Sequence, residues 1–225
     1  MTSEDASQAF SRLARNPAVV TIDLHRGHLD PAVATLPLPA DRSAALVDRC
    51  HRFLDAAREL GVPVIHVITS YRTRGEILSN PFWRFQADRP GSTRARIAEH
   101  TLEGMPGLEM MRELVADGDT YVTTKKRYDC FIGTDLEFIL RSGGHDALII
   151  LGVNTNSCVI ATSIAASVRD FAVFVLDEGV DSMMGGELDA AARQVLDASF
   201  GWIIGAQDAL GALRALHPVQ QRATA

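Results

Sequence analysis

Cysteine is scarce in this chain, and no apolar run is long enough to cross a bilayer. Three cysteines in 225 residues, Cys50, Cys130 and Cys158, cannot all pair, and their spacings fit no zinc pattern. No stretch approaches the ~18 apolar residues of a membrane span. The acidic opening Met1-Thr2-Ser3-Glu4-Asp5 lacks the apolar segment of a secretion signal. A reducing, cytoplasmic setting with no membrane partner is the resulting expectation. Positive charge is also in deficit. The 22 Lys+Arg against 28 Asp+Glu leave a formal net charge of −6, which argues against nucleic acid as partner. Internal repeats, low-complexity blocks and interdomain linkers are absent too.

What is present is a sizeable apolar content, 47% of residues, enough for one continuous core. Strand-like runs alternate with helix-like ones. Ala18–Asp23, Pro63–Ile68, Thr120–Thr124, Ala147–Leu151, Phe171–Leu176 and Trp202–Ile204 read as strands, separated by amphipathic stretches such as Arg42–Leu60. This pattern predicts an α/β fold: a doubly wound, mainly parallel six-stranded sheet with helices on both faces, in one domain over 1–225. Residues 1–16 read as an N-terminal extension. Residues 71–105 form a long excursion rich in Arg, Gly, Pro and aromatics, and connections of that length are usually functional.

Doubly wound sheets bind ligands beyond the carboxyl ends of their strands. Three reactive groups fall there. Asp23 ends the first strand, Lys125 follows the third, and Cys158 follows the fourth through the turn Gly152-Val153-Asn154-Thr155-Asn156-Ser157. The segment Cys158–Ser167 reads as a helix, which puts the thiol in a first turn. Unpaired backbone N–H groups and the helix dipole favour thiolate there. A small buried core cysteine is the alternative reading of Cys158, and the convergence of the other two groups counts against it. Arg72, Arg74, Arg84, Arg89, Arg94 and Arg96 crowd the excursion. They read either as a solvated face or as a patch for an anionic substrate or a neighbouring subunit.

The chain resembles the isochorismatase-like cysteine hydrolases, which include nicotinamidases and N-carbamoylsarcosine amidohydrolase. Val20-Thr21-Ile22-Asp23-Leu24 is similar to the family's first-strand signature, and Glu103-Gly104-Met105-Pro106-Gly107 to its Gly-x-Pro-Gly turn. Lys125-Lys126-Arg127-Tyr128-Asp129-Cys130-Phe131, followed by Gly133-Thr134-Asp135-Leu136, is similar to its lysine signature. Gly152 to Cys158 is similar to its nucleophile turn. The resemblance implies an Asp23-Lys125-Cys158 triad and an oxyanion hole from the backbone N–H groups of Asn154 and Cys158. It also implies a cis Val153–Asn154 peptide and homo-oligomers. Counting back from Phe131 selects Lys125 over Lys126, and adjacent strand residues face opposite ways.

The implied activity is cysteine-dependent cleavage of a C–N bond in a small linear amide, ureide or carbamoyl compound, through an acyl-thiol intermediate and without a cofactor. Vinyl-ether hydrolysis of isochorismate and a catalytically silent binding protein are the alternatives. His28, Tyr71, Phe82, Trp83 and Phe85 are candidates for lining the pocket, with Arg72 or Arg84 meeting a substrate carboxylate. His25 stands where the family often has Gln, and Asp129-Cys130 where it often has Ser-Ala. Metal-binding nicotinamidases carry an Asp-x-His after the second strand, where this chain reads Thr69-Ser70-Tyr71. No metal is therefore implied, and His25 with His28 lack a nearby third ligand.

Overall fold

The structure, a computed structural model, describes residues 3–216; the single unit expected over 1–225 runs past them at both ends. Six strands make one parallel sheet. They are β1 (Pro17–Ile22), β2 (Val64–Thr69), β3 (Thr120–Lys125), β4 (Ala147–Val153), β5 (Ala172–Asp181) and β6 (Trp202–Ile204). Their order, β3-β2-β1-β4-β5-β6, is that of a doubly wound sheet, as the alternating pattern predicts. Every residue of β1, β2 and β4 is buried, which is why these strands read as mostly apolar runs, with Thr21, His66 and Thr69 the buried polar exceptions.

Successive strand residues feed opposite layers. On one face α1 (Ser3–Leu13), α3 (Ala40–Glu59) and α9 (Ala206–Leu216) bring Phe10, Phe53 and Leu213 onto Val19, Ile149 and Phe174. On the other, α6 (Leu136–Ser142), α7 (Ile160–Ser167) and α8 (Gly186–Ser199) bring Leu140, Ala166 and Leu196 onto Val20, Ile150 and Val175. The segment 1–16, read as an extension, thus contributes to the core: Ala6, Phe10 and Ala14 are buried, and the Phe10 ring lies 4.6 Å from that of Phe174. Among the described residues no helix is long and apolar enough to cross a membrane.

The excursion over 71–105 is folded. It contains α4 (Arg74–Leu78), α5 (Pro81–Ala87) and a 3-10 turn at Ile97–Glu99, capped by the side chains of Thr73 and Asn80. These pieces close over a small apolar cluster of Leu36, Tyr71, Ile77, Trp83 and Ile97. Of the aromatic side chains in α5, Trp83 alone is buried; Phe82 and Phe85 are 56% and 66% exposed.

The topological switch lies between β1 and β4, whose registers run from Pro17↔Ala147 to Ile22↔Gly152. At Gly152 φ is +129, and a Cβ would run into the backbone carbonyl of Ile22. Only glycine allows β1 and β4 to approach this closely at their carboxyl ends. The next residues on each strand, Asp23 and Val153-Asn154, therefore lie side by side over the switch point.

Candidate active site

Asp23 leaves β1 in the left-handed backbone region, φ 54, which non-glycine residues rarely adopt. That turn directs its carboxylate across the sheet end, where Oδ1 accepts the Thr69 N–H at 2.8 Å. Lys125, the last residue of β3, pairs in register with Thr69 at the end of β2. Its Nζ donates to Asp23 Oδ2 at 2.5 Å and to the Thr69 hydroxyl, and lies 3.3 Å from Cys158 Sγ. All three side chains are at least 94% buried, and they meet as the order of strands and motifs predicts. Lys126 turns the other way and donates to the Ser70 carbonyl at 2.5 Å.

Cys158 reaches this position differently from the expectation. It sits inside a π-helical turn, Thr155–Val159, that precedes α7, and not in the first turn of an α-helix. Such turns recur at functional sites. The Val153–Asn154 peptide that leads into the turn is cis. The Asn154 side chain accepts the Met183 N–H at 2.7 Å, which ties this turn to the segment after β5.

The electrostatics also differ from the expectation of a ready thiolate. Burial pushes the Cys158 thiol up to about 12; Lys125 pulls it down, and the Asp23 charge adds to the rise. Burial works against the Asp23 charge as well, but Lys125, then His25 and His28, hold its carboxyl well below the usual range. Lys125 is held above the usual ammonium range, because Asp23 and Cys158 outweigh its burial. The resting arrangement is carboxylate, ammonium and neutral thiol. We expect alkylation of Cys158 by iodoacetamide to accelerate about tenfold per pH unit from neutral to alkaline pH, following its thiolate fraction. A rate plateau near pH 7, read by peptide mass spectrometry, would mean a thiolate already formed at rest. Cys50 and Cys130 are fully buried in the two core layers, with thiols also raised chiefly by burial.

The triad forms the floor of a cleft with about 420 Å³ of empty space between its walls, open solvent included. Of the residues read as substrate-binding, His28, Tyr71 and Trp83 line it, as do Asn154 and Cys158. Arg72, Phe82 and Arg84 do not. The Arg72 side chain is 71% exposed and pairs with Glu76, Phe82 faces solvent, and Arg84 lies with Phe85 on a separate surface groove. Helical periodicity in α5 explains this: it turns Trp83 inward and its neighbours outward.

The guanidinium groups that do line the cleft are Arg94 and Arg127. Arg127 stacks over the Trp83 ring at 5.0 Å and donates to the Lys126 carbonyl and the Ser79 hydroxyl. Arg94 donates to the Met184 thioether at 3.3 Å. These acceptors are uncharged, so both cations are available to an anion in the cleft. With Asp23 and Lys125 offsetting each other, the wall carries an excess of positive charge. The spacing Lys125-x-Arg127, which puts both on one side of an extended chain, was the signal for Arg127 in the sequence.

A third element was not legible at all. The expectation that His25 and His28 have no partner is corrected by His100, which packs its ring 5.4 Å and 4.6 Å from theirs. One nitrogen from each of these three buried histidines lies within 4.8 Å of the others. Two of the three, His28 and His100, face the cleft.

Reactive groups at the carboxyl ends of a 3-2-1-4-5-6 sheet, under a folded cap, define an α/β enzyme with its site at the switch point. The sequence model of the Isochorismatase domain matches residues 17–208, and the chain belongs to that family. It is similar to maleamate amidohydrolase of Pseudomonas putida, 25% identical over 202 residues, covering 90% of this chain and 89% of the relative. It is also similar to N-carbamoylsarcosine amidase of an Arthrobacter species, 27% identical, covering 76% and 61%. Among solved structures, an isochorismatase family protein of Desulfovibrio vulgaris superposes with a TM-score of 0.72 at 23% identity, over 89% of this chain and 99% of that one.

Proposed function

We propose that this chain hydrolyses a C–N bond in a small linear amide, ureide or carbamoyl compound that carries a carboxylate, with Cys158 as nucleophile. The observation that carries the reading is the Lys125 ammonium bridging a buried carboxylate at 2.5 Å and a buried thiol at 3.3 Å. Nothing in folding requires a lysine and an aspartate beside that cysteine, and a buried charge pair is costly to keep. The relatives it resembles are named as a maleamate amidohydrolase and an N-carbamoylsarcosine amidase.

In this reading Asp23 takes the Cys158 proton as sulfur attacks the carbonyl or ureido carbon. The thiol is neutral at rest, so the proton moves with the attack and not before it. The oxyanion so formed is met by the backbone N–H groups of Asn154 and Cys158. When it collapses, the C–N bond breaks, Asp23 returns its proton to the departing nitrogen, and an amine or ammonia leaves. Water then attacks the acyl-thiol carbon and gives a proton to Asp23, which restores the thiol as the acid is released. Lys125 stays protonated throughout and keeps Asp23 oriented.

Arg94 and Arg127 set the substrate class. Maleamate and N-carbamoylsarcosine, named for the relatives, each carry one carboxylate, and the cleft has two guanidinium groups to receive one. We expect Arg94→Ala and Arg127→Ala each to raise KM about 10- to 100-fold for half-amides and N-carbamoyl amino acids, the loss of one charge-assisted hydrogen bond. kcat changes little, and substrates with the carboxylate capped as an amide are unaffected. Equal losses on charged and capped substrates, in an ammonia-release assay across such a panel, would remove the carboxylate from the proposal.

A further inference from the structure

We propose that His25, His28 and His100 form a three-histidine site for a divalent transition-metal ion, of the zinc type, in the wall of the cleft beside Asp23. The ligand atoms come from both sides of the chain's long cap. His25 and His28 lie on the turn after β1, which includes the short helix α2 (Arg26–Leu29), and His100 ends the 3-10 turn that closes the excursion. This set shares nothing with an Asp-x-His after β2, where the chain has Thr69-Ser70-Tyr71.

The rings are already arranged as metal ligands are. In a ligating histidine one ring N–H is donated to a fixed acceptor, and the other nitrogen keeps a bare lone pair. His28 Nδ1 lies 2.7 Å from the Leu36 carbonyl, which can only accept, so the proton belongs on Nδ1 and Nε2 is free. His100 Nδ1 lies 2.8 Å from the Thr35 hydroxyl, which can accept its N–H, and in that tautomer Nε2 is bare as well. His25 is the strongest indication. It is fully buried, and neither ring nitrogen has a hydrogen-bond partner. Buried imidazole nitrogens without partners are rare and costly, and call for a ligand.

The two His25 nitrogens have different surroundings. Nδ1 sits against Gly27, where any added Cβ would lie 3.0 Å from it, while Nε2 lies 3.8 Å from Asp23 Oδ1. Glycine at 27 leaves room for the His25 ring, which a Cβ there would crowd. The His25 and His28 rings are near-parallel, with centroids 5.0 Å apart.

Charge and protonation agree with this geometry. Burial lowers all three histidines, His25 to about 3, so at neutral pH they are uncharged imidazoles with lone pairs available. The Asp23 carboxylate supplies negative charge at the site, and the Lys125 ammonium beyond it acts against a cation. Neutral imidazoles select zinc, copper, nickel or iron over magnesium and calcium, which want oxygen. A tetrahedral ion with Zn–N bonds near 2.0–2.1 Å needs its nitrogens about 3.4 Å apart, so the rings draw in from their 4.8 Å limit. Three protein ligands leave a fourth position, and His28 and His100 turn it toward the cleft, where water or a substrate oxygen fits.

The test uses the full chain, stripped with chelator, loaded with Zn²⁺ or Co²⁺, and dialysed against metal-free buffer. The proposal expects about one equivalent of zinc by atomic emission. The Co²⁺ form should show the visible absorption of a tetrahedral nitrogen site. His25→Ala, His28→Ala and His100→Ala should each weaken zinc binding at least about 100-fold in chelator competition, above the range seen for outer-sphere changes. Cys158→Ala should keep its zinc, which separates this proposal from the one for catalysis. Wild-type protein that retains no zinc and gives no cobalt spectrum overturns the site without any variant. So does zinc that survives all three histidine substitutions, or that is lost with Cys158.

Discussion

Cys158→Ala is expected to lower ammonia release from every hydrolysed substrate by about 10⁴-fold or more, with the fold intact. The size follows from what the residue does. Removing a nucleophile deletes the acyl-thiol path altogether, and single losses of this kind cost about 10⁴–10⁶ in kcat. Stability should change little by comparison. Cys158 packs against one core layer but lines the cleft floor, and a Cys→Ala change removes one atom of bulk. Near-normal circular dichroism and urea midpoint, together with lost turnover, is the expected pattern. If instead the variant keeps more than about a tenth of the ammonia release, Cys158 is not the nucleophile, and attack on the substrate by a water that gives its proton to Asp23 becomes the better account.

Lys125→Met carries the second large effect, and it falls on stability as well as rate. Methionine matches the length of the lysine stem but removes the ammonium, so the Asp23 carboxylate is left buried without its counter-charge. Breaking a buried pair in this way costs about 3–5 kcal/mol. The pH dependence has a definite sign. In the wild type the Asp23 carboxyl is lowered, so its contribution is present above the unfolded carboxylate value of about 3.9 and is lost as pH falls through the folded value. Without Lys125 burial dominates and the carboxyl rises, so folding then favours its protonated form. The deficit of Lys125→Met is therefore largest near pH 7 and shrinks toward pH 4. Urea unfolding at the two pH values reads it directly. The double variant Asp23→Asn with Lys125→Met should recover part of the loss, since no charge is left buried. Equal stability of Lys125→Met and wild type at pH 7 would show that the pair contributes nothing.

The strands and the three reactive positions were legible because each rests on local chemistry. Val19–Ile22 and Ala147–Leu151 are buried on both faces, and a short, almost wholly apolar run is the signature of such a strand. Gly152 and the small residues after it mark a turn, Asp23 is a charged residue that ends an apolar strand, and Lys125 closes the β-branched run of β3 at the same end of the sheet. The cleft wall was less legible. Arg94 and Arg84 belong to one arginine-rich stretch, but α5 turns Arg84 to solvent, while the chain after it returns Arg94 to the cleft. His100 met His25 only because the excursion folds back on itself, which no spacing in the chain records. The thiol's protonation was misjudged for a different reason. A helix terminus and a lysine favour thiolate, but the fold buries Cys158 to 6% exposure and sets Asp23 beside it, and desolvation outweighs both.

The central claim is a covalent bond between Cys158 and the acyl part of the substrate. Acid-quenched mass spectrometry during turnover of a carboxylate-bearing amide or carbamoyl substrate tests it most directly. The account predicts that the intact chain gains the mass of the acyl group, that peptide mapping places it on Cys158, and that Cys158→Ala shows neither adduct nor turnover. Continued ammonia release from Cys158→Ala, with Cys158 unmodified in the wild type throughout turnover, would contradict it.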